Sequence, residues 1–182
     1  LMVLRGDISP DVPPRDDFQY ACDLADFIKK REPEFNLIGA CYPEGHYQAA
    51  SLEEDIRNLH HKIANGVTHL GTQLFFDNEA FYRFRDLATA EGIDVPIVAG
   101  IMPIHNFAKI AQFAARDGIE IPRWVALTME GYMDDAASIR AFGLDVITRL
   151  CEQLVAAGAP GLHFYTMNQS AATLAICQRL WR

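Results

Sequence analysis

The chain has 182 residues, half of them apolar, with 16 basic against 24 acidic residues and a formal charge of −8. That length suits one domain with a sizeable core, and the acidic balance argues against nucleic acid as a partner, since no basic block exists to neutralise phosphates. No apolar run approaches the length of a bilayer span, so no membrane partner is expected.

In chain order, apolar runs of strand length alternate with helix-period segments. The expected strands are residues 1–4, 36–41, 69–74, 96–101 and 161–165. They read as continuous rather than alternating, as strands buried on both faces do. A strand at the very first residue leads us to expect an upstream portion. After it comes Arg5-Gly6-Asp7, either a ligand-contacting strand mouth or a turn with a structural ion pair. After the second strand comes Tyr42-Pro43-Glu44-Gly45-His46, where an aromatic, a carboxylate and an imidazole share one loop. The plainer reading is a Pro-Glu-Gly turn with a solvated His.

Ser51 and Glu54 form a capping-box pattern at the start of the clearest helix. Leu52, Ile56, Leu59 and Ile63 follow at core spacing, and Gly66 ends it. Asp55, Asn58 and Lys62 form a polar stripe beside that apolar one. It is either the wall of a cleft, with Lys62 near a phosphate, or an ordinary solvated face. His60 and His61 are adjacent, which does not give the i, i+4 face of a zinc helix.

The third strand runs into Thr72-Gln73-Leu74-Phe75-Phe76-Asp77. Gln73 lies in an apolar run, and a buried amide without partners costs about 1–3 kcal/mol. Its donors and acceptor suit a heterocycle edge such as a pterin, or a neighbouring strand. Asp77 is expected to cap the next helix, and Phe75 and Phe76 to join the core. That helix spans about 78–90, and another spans about 106–116 after Gly100-Ile101-Met102-Pro103. Residues 119–132 are ambiguous: Trp124-Val125-Ala126-Leu127 suits a short strand or an extra helix. A long helix covers about 134–157, closed by Gly158 and Pro160. The last strand carries His163-Phe164-Tyr165-Thr166-Met167-Asn168, and a helix from about 170 to 181 follows it.

Alternating strand and helix gives an α/β fold with a parallel sheet, read here as one domain over 1–182. The four cysteines, Cys22, Cys41, Cys151 and Cys177, form no C-x-x-C pair. They read as reduced core residues in a cytoplasmic setting. No metal-ligand set, P-loop or G-x-G-x-x-G is present.

Together, Leu4-Arg5-Gly6-Asp7, Tyr42-Pro43-Glu44-x-His46, Thr72-Gln73-Leu74-Phe75-Phe76-Asp77, Gly100-Ile101-x-Pro103 and His163-Phe164-Tyr165-Thr166-x-Asn168 resemble, in order and spacing, the flavin-dependent methylenetetrahydrofolate reductases. The resemblance covers essentially the whole chain. It implies a TIM (β/α)8 barrel of which this chain supplies about the last five strands, with FAD at their C-terminal ends. It further implies an oxidoreductase of one-carbon metabolism that reduces 5,10-methylenetetrahydrofolate to 5-methyltetrahydrofolate through FAD, with NAD(P)H as donor.

Carried over by motif, Arg5, Gly6 and Asp7 contact FAD, with Asp7 as the catalytic residue beside the flavin ring and the folate. Tyr20, Ala21, Tyr42, His46 and Ala49 line the cofactor site. Asp55, Asn58, His61 and Lys62 hold its ribose and phosphate portion. Gln73 binds the pterin, and Phe113 matches an aromatic that stacks on substrate. Lys109 stands where the family can have Gln. Gln169 stands where it can have the Arg that pairs with the glutamate tail of folate. That difference either removes the expected tail contact or shifts it to another group such as Lys109. No residue matches the family's acid Glu, since neither Glu44 nor Glu130 is at the corresponding place, so this stretch alone is expected to be inactive. Eight strands close such a barrel, and an open sheet edge would be prone to association, so an upstream segment is expected. A homo-oligomer is expected as well. The alternatives are a non-catalytic flavin-binding half barrel that assembles with a partner, and an unrelated α/β barrel with a phosphate site.

Overall fold

The computed structural model describes residues 1–6, 11 and 17–181. Asp7 lies outside the described residues. The strands are β1 (Met2–Val3), β2 (Leu37–Cys41), β3 (Val67–Leu74), β4 (Ile97–Ile101) and β5 (Leu162–Phe164). They form one sheet in the order β1-β2-β3-β4-β5, and every neighbouring pair is parallel. Strands that are adjacent in sequence, parallel and joined by helices are built from βα units, the repeating element of a barrel wall.

The helices are α1 (Ala21–Arg31), α2 (Leu52–Ala64), α3 (Asn78–Ala90), α4 (Phe107–Asp117), α5 (Arg123–Gly131), α6 (Ala136–Ala156) and α7 (Ala171–Leu180). Their starts follow local chemistry. The Ser51 hydroxyl accepts the Glu54 amide at 3.2 Å, and the Asp77 carboxylate accepts the Glu79 amide at 3.0 Å. Asn106 and Asp135 cap α4 and α6 in the same way. Each cap pairs an amide that the first helical turn leaves without a partner.

The ambiguous segment is helical. Pro122 sits at the entry to α5, where its missing N–H costs nothing. Val125 and Met129, four apart, are buried, while Trp124 and Leu127 face outward. The helix α1, which the periodicity did not delineate, buries only Ala25 fully, with Leu24 and Ile28 packed beside it.

The core runs along the sheet through Leu37, Leu70, Leu74 and Ile101, and continues into α3 through Phe81 and Phe84. Phe75 and Phe76 join it, as expected for core aromatics, and Phe75 stacks on Phe81 at 5.5 Å. The α3 and α6 helices are tied by polar contacts as well: Tyr82 Oη donates to the Gln153 carbonyl at 3.2 Å, and Asn78 Nδ2 to Gln153 Oε1 at 2.8 Å. All four cysteines are free thiols, with Cys41 and Cys151 buried. Burial pushes the Cys151 thiol up to about 12, so it stays protonated and inert.

Candidate functional site

Because the strands are parallel, the segments that leave them emerge on one edge of the sheet. Arg5 and Gly6 follow β1, Tyr42 to His46 follow β2, and Gln73 is the penultimate residue of β3. The loops after β4 and β5 carry Met102 to His105 and Tyr165 to Gln169 on the same edge. In parallel α/β folds this edge is where ligands bind.

The β2 loop is held from below by α2. Asp55, in the first turn of that helix, is 9% exposed, and its carboxylate accepts the His46 amide at 3.0 Å. Two turns on, Lys62 reaches the sheet and donates from Nζ to the Ala40 carbonyl at 2.6 Å. Its ammonium also lies 5.9 Å from the centre of the Tyr42 ring, within reach of a cation–π attraction. Burial raises the Asp55 carboxyl above its ordinary range, opposed by the His46 amide and by Lys62. Burial also lowers the Lys62 ammonium, opposed by Cys41 and Asp55. These two charges are kept out of water close to a strand mouth, an arrangement more typical of sites than of stability.

Tyr42 meets the His46 ring edge-on at 4.6 Å, and Tyr47 stacks on His46 at 4.6 Å. Burial, and then Asp55, push the Tyr42 phenol up to about 12, so it remains a donor. Nδ1 of His46 accepts the Gln48 amide at 3.2 Å, which requires that nitrogen to be unprotonated. Ala49 closes the loop by donating its amide to the His46 carbonyl at 2.9 Å. Arg5 Nη2 donates to Gln48 Oε1 at 2.9 Å and so joins the β1 and β2 mouths.

Burial lowers the His46 imidazole, with Asp55 opposing and Arg5 and Lys62 assisting. Acidification should therefore destabilise this loop: the folded ring resists a proton that the unfolded chain accepts, so stability falls as pH drops through the lowered value. An NMR titration of His46 is expected to give a midpoint below the ordinary value of about 6.5. Lys62→Met should raise that midpoint and Asp55→Asn should lower it. An ordinary midpoint indifferent to both changes would remove His46 from this charged pocket.

Gln73 borders the loop from the next strand. It lines a narrow crevice with Tyr42, Glu44, Asp117 and Ile119. Its Oε1 accepts the Leu74 amide at 3.0 Å. Only an oxygen can face that N–H, so the amide nitrogen is the free end, and it has no protein partner among the described residues. Glu44 Oε1 accepts the Glu120 amide at 3.0 Å and fastens the segment between α4 and α5 against the β2 loop. Burial raises the Glu44 carboxyl, and that hydrogen bond opposes the shift.

The other expected site residues lie further out. Tyr20 is the N-cap of α1 and Ala21 its first residue, with the tyrosine ring exposed. Asn58 and His61 are on the exposed side of α2, one and two turns from buried Asp55. Lys109 and Phe113 share one face of α4. The lysine is exposed, and the half-buried phenylalanine ring has the Arg116 guanidinium 5.0 Å from its centre. Gln169 is exposed, in a turn where its amide donates to the Thr166 carbonyl at 2.9 Å. Arg5, Tyr42, His46, Asp55, Lys62 and Gln73 thus converge, while Asn58, His61, Lys109 and Gln169 have their side chains in solvent.

A larger cavity of about 140 Å³ lies between the β4 loop, α6 and α7, and is lined mainly by apolar groups such as Ile104, Leu144 and Ile176. It shares no residue with the polar cluster. It is the larger of the two, while the buried charges Asp55 and Lys62 lie with the polar cluster on the β2 side. Among the described residues no set of three metal-ligating side chains gathers, and no helix is long and apolar enough to cross a membrane.

Gln48, Thr72 and Tyr165 also belong to this edge; the sequence places Thr72 and Tyr165 in motifs but assigns neither a role, and it does not mark Gln48. Gln48 carries no signal of its own. Thr72 does: a hydroxyl inside an apolar strand, next to Gln73, must find a buried partner.

The architecture defines an α/β protein of the barrel class with its polar cluster at the C-terminal strand ends. The family model for methylenetetrahydrofolate reductase matches residues 1–181, and the chain belongs to that family. It is 36% identical over 180 residues to the 5,10-methylenetetrahydrofolate reductases of Salmonella typhimurium and Escherichia coli K12, covering 99% of this chain and 60% of each relative. The chain therefore spans about three fifths of the length of these curated relatives. Among solved structures, it resembles an uncharacterized protein from Clostridium thermocellum that binds two copies of 5-methyl-5,6,7,8-tetrahydrofolic acid. The TM-score is 0.59 at 20% identity, covering 87% of this chain and 57% of that one. The fold is that of a TIM barrel, of which these five parallel strands and their helices form a part.

Proposed function

We propose that this chain is the flavin- and folate-binding part of a methylenetetrahydrofolate reductase, one domain that works in the cytoplasm. It reduces 5,10-methylenetetrahydrofolate to 5-methyltetrahydrofolate through FAD, with NAD(P)H as donor. The observation that carries this reading is the convergence of Arg5, His46, Lys62 and Gln73 at one strand edge, with the Gln73 amide N–H2 left without a protein partner among the described residues.

The residues present fit FAD. Its phosphates are anionic, and Arg5 and Lys62 supply charge at the mouths of neighbouring strands. Asp55, Asn58 and His61 on α2 suit the hydroxyls of the ribose portion. Tyr42 and His46 offer an aromatic wall, and Tyr20, Ala21, Gly6 and Ala49 line the remaining approach. When bound, FAD supplies hydride transfer from the nicotinamide nucleotide to the folate. The chain's own part is to orient and to tune charge. Asp7, the expected catalytic residue, would act beside the ring. Gln73 would hold the pterin edge through its free amide N–H, Phe113 would stack on substrate, and Lys109 would take the glutamate tail in a site completed by Gln169.

The test is anaerobic. The full-length natural protein is loaded with FAD, bleached with NADH or NADPH, and then given 5,10-methylenetetrahydrofolate. Reoxidation with formation of 5-methyltetrahydrofolate supports the reading. A yellow protein that bleaches but is not reoxidised by the folate would point to the non-catalytic flavin-binding module. A protein that takes up no flavin would favour a barrel with a simple phosphate site.

A further inference from the structure

We propose that Thr72 and Tyr165 are positioning residues that pin a bulge in β3 and thereby aim the Gln73 amide at the bound folate. The inference rests on the pterin role given to Gln73 above. The bulge is visible in the register. Gly71 pairs with Val98, but the next pair is Leu74 with Gly100, so β3 spends three steps where β4 spends two. One extra residue on a strand breaks the regular ladder and re-aims the side chains around it, and such bulges gather next to sites.

The groups freed by the bulge are taken up by two side chains. The Gly100 amide donates to Thr72 Oγ1 at 2.8 Å. The Thr72 carbonyl accepts the Tyr165 hydroxyl at 3.0 Å. Thr72 is fully buried, so both partners are needed where water cannot substitute. Tyr165 reaches β3 from beyond β5, and its ring passes over Gly100. A Cβ at Gly100 would overlap the Thr72 carbonyl oxygen and lie 2.9 Å from Tyr165 Cε2. The tyrosine backbone is itself fixed, its amide donating to the Ile101 carbonyl at 2.8 Å. Three strands are thus locked together at one point, and the next residue along β3 is Gln73. Its oxygen folds back onto the Leu74 amide, so its N–H2 is presented outward.

The experiment uses the full-length protein with Tyr165→Phe, Thr72→Val and the conservative Thr72→Ser, each also combined with Gln73→Ala. Binding of 5-methyltetrahydrofolate and flavin content are measured, together with hydrogen exchange at the Gly100 amide. Tyr165→Phe and Thr72→Val are expected to weaken folate binding about three- to tenfold, as loss of one buried hydrogen bond does. Flavin content should hold, and Thr72→Ser should restore affinity. In the Gln73→Ala background neither substitution should weaken binding further, because they act through Gln73. Gly100 exchange should quicken in Thr72→Val and not in Thr72→Ser.

Unchanged Gly100 exchange in Thr72→Val would overturn the pin. Losses that simply add to that of Gln73→Ala would overturn the aiming role and leave a purely structural bulge. If Gln73→Ala alone leaves folate affinity intact, the pterin assignment and the aiming role fail together, while the exchange data still judge the pin. If Thr72→Val does not fold, Tyr165→Phe carries the binding and coupling tests alone.

Discussion

Lys62→Met is expected to weaken FAD binding by roughly ten- to a hundredfold while leaving the fold as stable as before, or more so. The two effects separate because the ammonium is held against its own preference. Burial lowers its proton affinity, and the Ala40 carbonyl at 2.6 Å, the Tyr42 ring and the field of Cys41, Asp55 and Cys22 offset part of that. Methionine is close in length and apolar, and replacing a desolvated charge with such a side chain is often neutral or stabilising. A phosphate-bearing ligand, by contrast, loses one of its charge-assisted partners, with Arg5 at the next strand mouth left to hold it. The pH profile gives an independent check. A lysine whose folded pKa is depressed makes stability rise as pH climbs from that lowered value towards the ordinary one of about 10.4, because there the unfolded chain holds the proton and the folded chain does not. The methionine variant should lose that rise. FAD affinity from fluorescence quenching and Tm against pH measure both arms. Unchanged affinity together with a large loss of stability would make Lys62 a structural residue and not a ligand contact.

The parts of this architecture that sequence pattern reveals are those where one local force dominates. Ser51, Asp77 and Asn106 stand at helix starts because a side-chain oxygen is the nearest partner for a stranded amide. The continuous apolar strands follow from burial on both faces. Helix α1 escaped because its buried stripe is narrow, centred on Ala25, in a segment dense with charge. The Trp124 to Leu127 run was ambiguous because four residues cannot separate a two-residue from a 3.6-residue period. Tertiary burial of Val125 and Met129 decides it. At the site, Asp55 and Lys62 were visible as a polar stripe beside an apolar one, but their burial was not, since it depends on the β2 loop folding over α2. The β3 irregularities, at Thr68 as well as at Thr72 and Gln73, leave no trace in composition, because register is a property of two strands at once. Thr72, Gly100 and Tyr165 each stand in a motif, but that they touch one another shows only in the fold.

That meeting point gives the largest expected effect on stability. Gly100→Ala should destabilise the chain by about 1–3 kcal/mol or more, a loss of several degrees in Tm. The added methyl would overlap the backbone carbonyl oxygen of Thr72 and crowd the carbonyl carbon of Gln73 at 3.2 Å, so no flexible side-chain end can yield to it. To make room, β3 must withdraw from β4, which strands the hydrogen bond from the Gly100 amide to Thr72 in the core. The matched control is Gly131→Ala at the end of α5, where a Cβ meets nothing within 4 Å. There alanine should be neutral or stabilising by up to about 1 kcal/mol, because glycine is the poorer helix former. Opposite signs for one chemical change, read as Tm or urea midpoint, follow directly from the close approach of three strands at Gly100. Equal effects at the two positions would mean that the strands do not close on one another there, and Tyr165 could then not span β4 to reach Thr72.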